Sequence, residues 1–136
     1  MTFRGKVAVL PCTGIGQVVG TIARQAAYRV CEDLCPRETI LVCLPALVKG
    51  VQEDIDMVSE CPVIVIEGCK ENCAAHALAA RGPAPSATVS VPDVMKGSGL
   101  RIRREARRGL TEPELAVVEL VAARVVAAVD RLRSAP

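Results

Sequence analysis

At 136 residues the chain has the length of one domain, and an apolar fraction of 51% is enough for a real core. With one Phe, one Tyr and no Trp, that core must be built from Val, Ala, Leu and Ile, which suits a parallel sheet covered by helices. A net charge of +2 is too small to imply a polyanionic partner, and no apolar run is long enough to span a bilayer.

The opening MTFRGKVAVL lacks a signal-peptide layout, because Lys6 sits directly against a short strand-like run, so a cytoplasmic location is expected. In a reducing compartment, seven cysteines point to metal or redox chemistry rather than to a disulfide framework. An odd number also excludes complete internal pairing. Free cysteine is a good small core residue, and that accounts for some of the seven.

Lys6 to Leu10 reads as a buried strand closed by Pro11, and TGIGQ follows as a glycine turn. Val18 to Leu34 is helical, with Val18, Ile22, Ala26 and Val30 on one face and Pro36 as its stop. Thr39 to Leu44 is a second strand, closed by Pro45. Residues 46–60 read as a shorter helix, and Pro62 to Ile66 as a third strand stopped by Gly68. Glu71 to Ala80 is alanine-rich and helical, ended by Gly82-Pro83, and Ala87 to Val91 is a fourth strand. Residues 92–110 look irregular and basic. Thr111 and Glu114 have capping-box spacing, with Pro113 tolerated in the first turn, so a last helix starts at Thr111 and runs to about Leu132. Val118, Val121, Val125, Val129 and Leu132 form its buried stripe.

Strands alternating with helices imply an α/β fold: one three-layer α/β/α domain over 1–136, with a mostly parallel four-stranded sheet and right-handed crossovers. No internal repeat or linker divides the chain.

Three cysteines then fall at three successive strand ends. Cys12 follows strand one, Cys43 lies in the last turn of strand two, and Cys69 follows strand three. Ligand crevices in open parallel sheets lie outside the carboxyl ends, where strand order reverses. Neighbouring strands are about 4.8 Å apart, so side chains from adjacent tips can meet. Cys73 lies four residues after Cys69 at the start of the third helix, so both can point at the crevice. Four thiolates suit tetrahedral Zn²⁺. C-x₃-C alone carries little information; the weight comes from all four positions falling where the fold brings them together. Cys31 and Cys35 lie near the opposite edge of the sheet and read as core or helix-surface thiols, with a second metal or a disulfide as the lesser alternative. Cys61 precedes strand three and reads as structural.

Cys12-x-Gly14, Gly16-Gln17, Cys43-Leu44-Pro45 and Glu67-Gly68-Cys69-x-x-x-Cys73 together resemble the DGC-domain family, named for an Asp-Gly-Cys motif and described as having four characteristic zinc-binding cysteines. The resemblance covers roughly residues 5–82, and more loosely the rest. It implies that the family's cysteines fall on Cys12, Cys43, Cys69 and Cys73. The motif's Asp is Glu67 here. If that carboxylate caps the following turn, Glu reaches differently; if it is an acceptor behind the metal ligands, Glu can substitute. The resemblance brings no defined activity with it.

Other chemistries fit less well. Cys12-Thr-Gly-Ile-Gly-Gln between strand and helix resembles a phosphate-cradling loop, including the cysteine phosphatase type. Residues 13–20 hold no arginine to grip a phosphate, and the P-loop lysine is also absent. Gly14-x-Gly16-x-x-x-Gly20 misses the Rossmann spacing by one residue, which favours a tight turn with close helix packing. Weak anion binding at the helix N-terminus is not removed by these departures. His76 lies three residues beyond Cys73 and is either a further ligand or base, or a half-exposed helical histidine. A redox or sulfur-transfer role through the same cysteines is the main functional rival, and thiolates also suit Cu(I), arsenite or an Fe–S cluster. The segment 101–108, RIRREARR, has five arginines. It reads as a solvated loop or as a patch for an acidic protein partner, and without interleaved aromatics nucleic-acid binding is disfavoured. The last helix, Leu115 to Leu132, either covers the sheet or pairs across a homodimer. A closed four-cysteine zinc site leaves no open position for a substrate, which weighs against metal catalysis.

Overall fold

A computed structural model describes residues 3–134 of the chain. The elements in order are β1 (Val7–Pro11), α1 (Val18–Tyr28) continuing into a π-helical turn (Arg29–Leu34), β2 (Thr39–Leu41), α2 (Leu44–Lys49), α3 (Gln52–Glu60), β3 (Val63–Glu67), α4 (Cys73–Ala79), β4 (Ala87–Ser90), α5 (Val91–Met95), a 3₁₀ turn (Arg104–Arg108) and α6 (Glu112–Ser134). The sheet is fully parallel, in the order β2-β1-β3-β4. The order therefore reverses between β1 and β3, and ligands of such folds bind outside the carboxyl ends at that point.

Strand alternation sorts the side chains into two cores. Val7, Val9, Ile64, Ile66 and Val89 pack against α1 and α6, including Val18, Ile22, Ala26, Val121 and Val125. Ala8, Leu10, Val42, Val63 and Val65 pack against Leu47, Met57, Val58, Ala74 and Leu78 of α2, α3 and α4. This is the expected three-layer arrangement. The expected stripes of α1 and α6 are buried, except that Leu132 is half-buried.

Four expectations change in detail. The single helix expected over 46–60 is two, because Gly50 adopts a left-handed φ of 96° and caps α2. The Arg81 guanidinium then donates to the carbonyls of Leu47 and Val48, at 3.0 and 2.8 Å. Strand β2 stops at Leu41, three residues early: after the Val42 N–H bonds the Val9 carbonyl at 2.9 Å, the next ladder donor would be Pro11, which has no N–H, and the outward Cys43 N–H donates to the Asp54 carboxylate at 2.9 Å. The stretch 92–110 is less irregular than its composition suggests. Arg103 donates from both its guanidinium and its backbone to Glu114, at 2.9 Å and 3.1 Å, and ties this stretch to α6. Only the Glu-side half of the capping box forms: the Thr111 N–H donates to Glu114 at 3.0 Å, while its hydroxyl donates to the same carboxylate.

Among the described residues no helix is long and apolar enough to cross a membrane.

Candidate metal centre

Cys12 directly follows β1, and its N–H extends the pairing with β3 by donating to the Ile66 carbonyl at 2.8 Å. Continued alternation places its buried side chain on the same side as Ala8 and Leu10, the side of α4. Cys69 is half-buried, two residues beyond β3. It does not share a helix face with Cys73, as the spacing suggested. It lies in a turn closed by the Asn72 N–H on the Cys69 carbonyl at 3.4 Å, and α4 begins only at Cys73. Asn72 takes the left-handed conformation, φ 56°, which lets the chain reverse into α4. Cys73 is exposed at the first position of that helix.

Glu67 fixes where this helix begins. Its fully buried carboxylate accepts from the N–H groups of Ala74 and Ala75, at 3.1 and 2.8 Å. Those two amides have no carbonyl partner within the helix, so the carboxylate replaces the missing N-cap side chain. Of the two roles open to Glu67 from sequence, capping is the one the structure shows.

The Cys12 and Cys69 thiols lie within electrostatic reach of the Cys73 thiol. Desolvation pushes the Cys73 thiol above its ordinary range, and the neighbouring Cys12 and Cys69 thiols, then Glu67 and Glu71, push it the same way. Glycines let the surrounding loops close on this point. A Cβ on Gly68 would sit 3.1 Å from the carbonyl carbon and oxygen of Val19, and one on Gly20 would overlap the Gly14 carbonyl. The near-Rossmann spacing of Gly14 and Gly20 is thus a packing device: the first turn of α1 rests directly on the loop after β1.

Cys43 stands apart. Its backbone is extended, φ −88° and ψ 113°, so the β2 alternation carries through it. Val42 faces α3 and α4, and Cys43 therefore faces α1. There it lines a cleft of about 420 Å³ with Ile15, Tyr28, Leu41 and Pro45. Adjacent strand tips do meet at Pro11 and Cys43, but the two cysteines leave their strands on opposite faces. Among the described residues no group of three or more His, Cys, Asp or Glu side chains is arranged to hold a metal ion. The donor type of Cys12, Cys69 and Cys73 suits a thiophilic ion.

The other cysteines lie elsewhere in the fold. The buried Cys35 closes the π-helical turn through its N–H to Val30, at 2.7 Å, and its carbonyl accepts the Thr39 hydroxyl, also at 2.7 Å. Burial pushes the Cys31 thiol up to about 11. The Cys61 thiol donates to the Phe3 carbonyl at 3.1 Å. His76 is exposed on α4.

Sequence reasoning missed the position of the basic segment. The Arg107 guanidinium donates to the Gly16 carbonyl at 3.1 Å, and its own carbonyl accepts the Thr21 hydroxyl at 2.8 Å. The 3₁₀ turn is thereby strapped across the glycine turn after Cys12. These groups are about 90 positions apart in the chain, and no local pattern pairs them.

Cysteines placed at the switch point of a parallel α/β sheet are the feature these elements define. The DGC domain family model matches residues 8–113, and the chain belongs to that family. No curated protein and no solved structure matches the chain.

Proposed function

We propose that the protein is a metal-binding module of structural or regulatory role, in which Cys12, Cys69 and Cys73 hold one Zn²⁺ and Cys43 supplies the fourth thiolate. The observation that carries this reading is the placement of three cysteines, one after β1, one after β3 and one at the start of α4, beside the β1/β3 switch point. Such a cluster is unfavourable once ionised, and a divalent cation reverses the sign of that interaction. Bound zinc would supply charge neutralisation and a tetrahedral cross-link between β1, the loop after β3 and α4. Glu67 and Asn72 set the position of the α4 start, and Gly14, Gly20 and Gly68 allow the loops to approach. Cys43 joins only by turning across the tip of β1, and a site of three thiolates would keep an open position.

Elemental analysis of protein purified without a polyhistidine tag tests the reading. One zinc per chain in the parent, lost in Cys69→Ser and Cys73→Ser, is the expected result. Retention in Cys43→Ser would restrict the ligands to three. Metal-free parent protein with rapidly alkylated thiols would remove the zinc reading and favour redox or sulfur-transfer chemistry at Cys69 and Cys73.

A further inference from the structure

Residues 13–20 contain no arginine of their own to grip a phosphate. The fold brings arginines to that loop from elsewhere. A cavity of about 270 Å³ opens beside the glycine turn, walled by Arg24 of α1 and by Arg107 and Arg108 of the basic segment. Thr13, Thr21 and Gln25 supply its remaining polar side chains, and no Asp or Glu lines it.

The contrast with other arginines is instructive. Arg103 is paired with Glu114, Arg29 with Glu119 and Asp33, and Arg133 with Glu38. Among the described residues no carboxylate pairs with Arg24, Arg107 or Arg108. Two of these are nonetheless held in place by neutral groups. Arg107 is tied to the Gly16 carbonyl, and Arg24 donates through Nε to the Tyr28 hydroxyl at 2.9 Å, with its guanidinium over that ring. Fixed guanidinium groups facing one cavity without a counter-charge repel one another, and an anion between them relieves that repulsion.

We propose that this cavity binds the phosphate-type oxyanion of a small molecule. Its volume lies below the roughly 300–1,000 Å³ of drug-sized pockets, so it holds one anionic group rather than a whole ligand. Thr13, Ile15 and Arg24 also line the apolar cleft that contains Cys43, so the two spaces are contiguous. The organic part of a phosphate ester would lie in that cleft. Free inorganic phosphate would use the cavity alone.

Calorimetric titration with inorganic phosphate, at constant ionic strength set with chloride, tests the proposal. Saturable binding to the parent is expected, weakened about tenfold or more in Arg108→Ala. Arg108 is exposed and its removal leaves every hydrogen bond described above intact. Arg101→Ala, which removes an equal charge outside the cavity, keeps the parent affinity, and so does chelator-treated protein. That last arm separates this site from the metal centre. Phenyl phosphate binding tighter than phosphate identifies an ester as the ligand, and equal affinities identify the free anion. Phosphate heat no different from that of chloride, or equal losses in Arg101→Ala and Arg108→Ala, overturns the proposal.

Discussion

The Glu67 carboxylate, on the last residue of β3, accepts the backbone N–H of Ala75 at 2.8 Å, so the strand itself caps the helix that presents Cys73. The same carboxylate holds Ala74 through its other oxygen. In Glu67→Gln one oxygen still accepts, but the amide NH₂ faces a second N–H and leaves it unpaired. The expected cost is about 1–3 kcal/mol of stability, measured by urea denaturation. Glu67→Asp, which restores the family's residue, keeps the charge but shortens the reach, and it is expected to fall between the parent and Glu67→Gln.

Glu114 gives the fold an acid-sensitive component. The Arg103 guanidinium, with the Thr111 and Arg103 amides, outweighs burial and holds its carboxyl down to about 2. The unfolded value is about 4.3. The folded value is the lower one, so this stabilisation is fully present above pH 4.3 and disappears as pH falls towards 2. The stability gap between parent and Glu114→Gln should therefore be constant near neutrality and narrow between about pH 4.3 and 2. Urea midpoints recorded across that range check it, and a gap that stays constant down to pH 2 would show that Glu114 acts by packing alone.

Gly20→Ala should be among the most damaging single-methyl changes in the chain. The added carbon meets the Gly14 carbonyl, a backbone atom that cannot turn aside. A loss of about 3 kcal/mol or more is expected from such overpacking. Gly16→Ala, where nothing lies within 4 Å of the new carbon, should be nearly neutral. Thermal unfolding of the pair gives a direct comparison.

Thiol accessibility predicts an order of reaction. In metal-free protein Cys43 and Cys73 are exposed and should react first with DTNB, while Cys12, Cys35 and Cys61 are buried and should wait for unfolding. Added zinc should protect Cys73. Protection of Cys43 in the same experiment would mean that it crosses the β1 tip to join the site. Continued reaction there would leave it in the α1-side cleft.

Zinc that binds only the folded chain raises stability by mass action, about 2.7 kcal/mol when free metal is a hundredfold above its dissociation constant. A chelator should therefore lower the melting temperature of the parent and leave those of Cys69→Ser and Cys73→Ser unchanged.

Much of this was legible in the sequence because apolar runs of four or five residues, each closed by Pro or Gly, can only be buried strands when helices alternate with them. That pattern located β1, β3 and β4, and with them Cys12 and Cys69. The side on which Cys43 leaves β2 was not legible, for a specific reason. Strand ends were treated as points, whereas each also has a side, and Cys43 follows Val42 out of β2 on the face away from Cys12. The alternation of Ile40, Val42 and Cys43 was readable, but which helix covers which face is decided by tertiary packing. The cap from Glu67 was readable as one of two options, because a carboxylate before a helix start has few other partners. The strap from Arg107 to Gly16 was not, because nothing near position 16 signals a residue 91 positions away.

The sheet acts as a partition between two chambers. On one side lie the soft sulfur donors of Cys12, Cys69 and Cys73, on the other a cationic chamber with a single thiol at its margin. The wall between them at this edge is the tip of β1, where Pro11 and Thr13 line the second chamber and Cys12 faces the first. Any influence of an occupant in one chamber on the other must then be mutual and equal in free energy, carried by a segment of three residues.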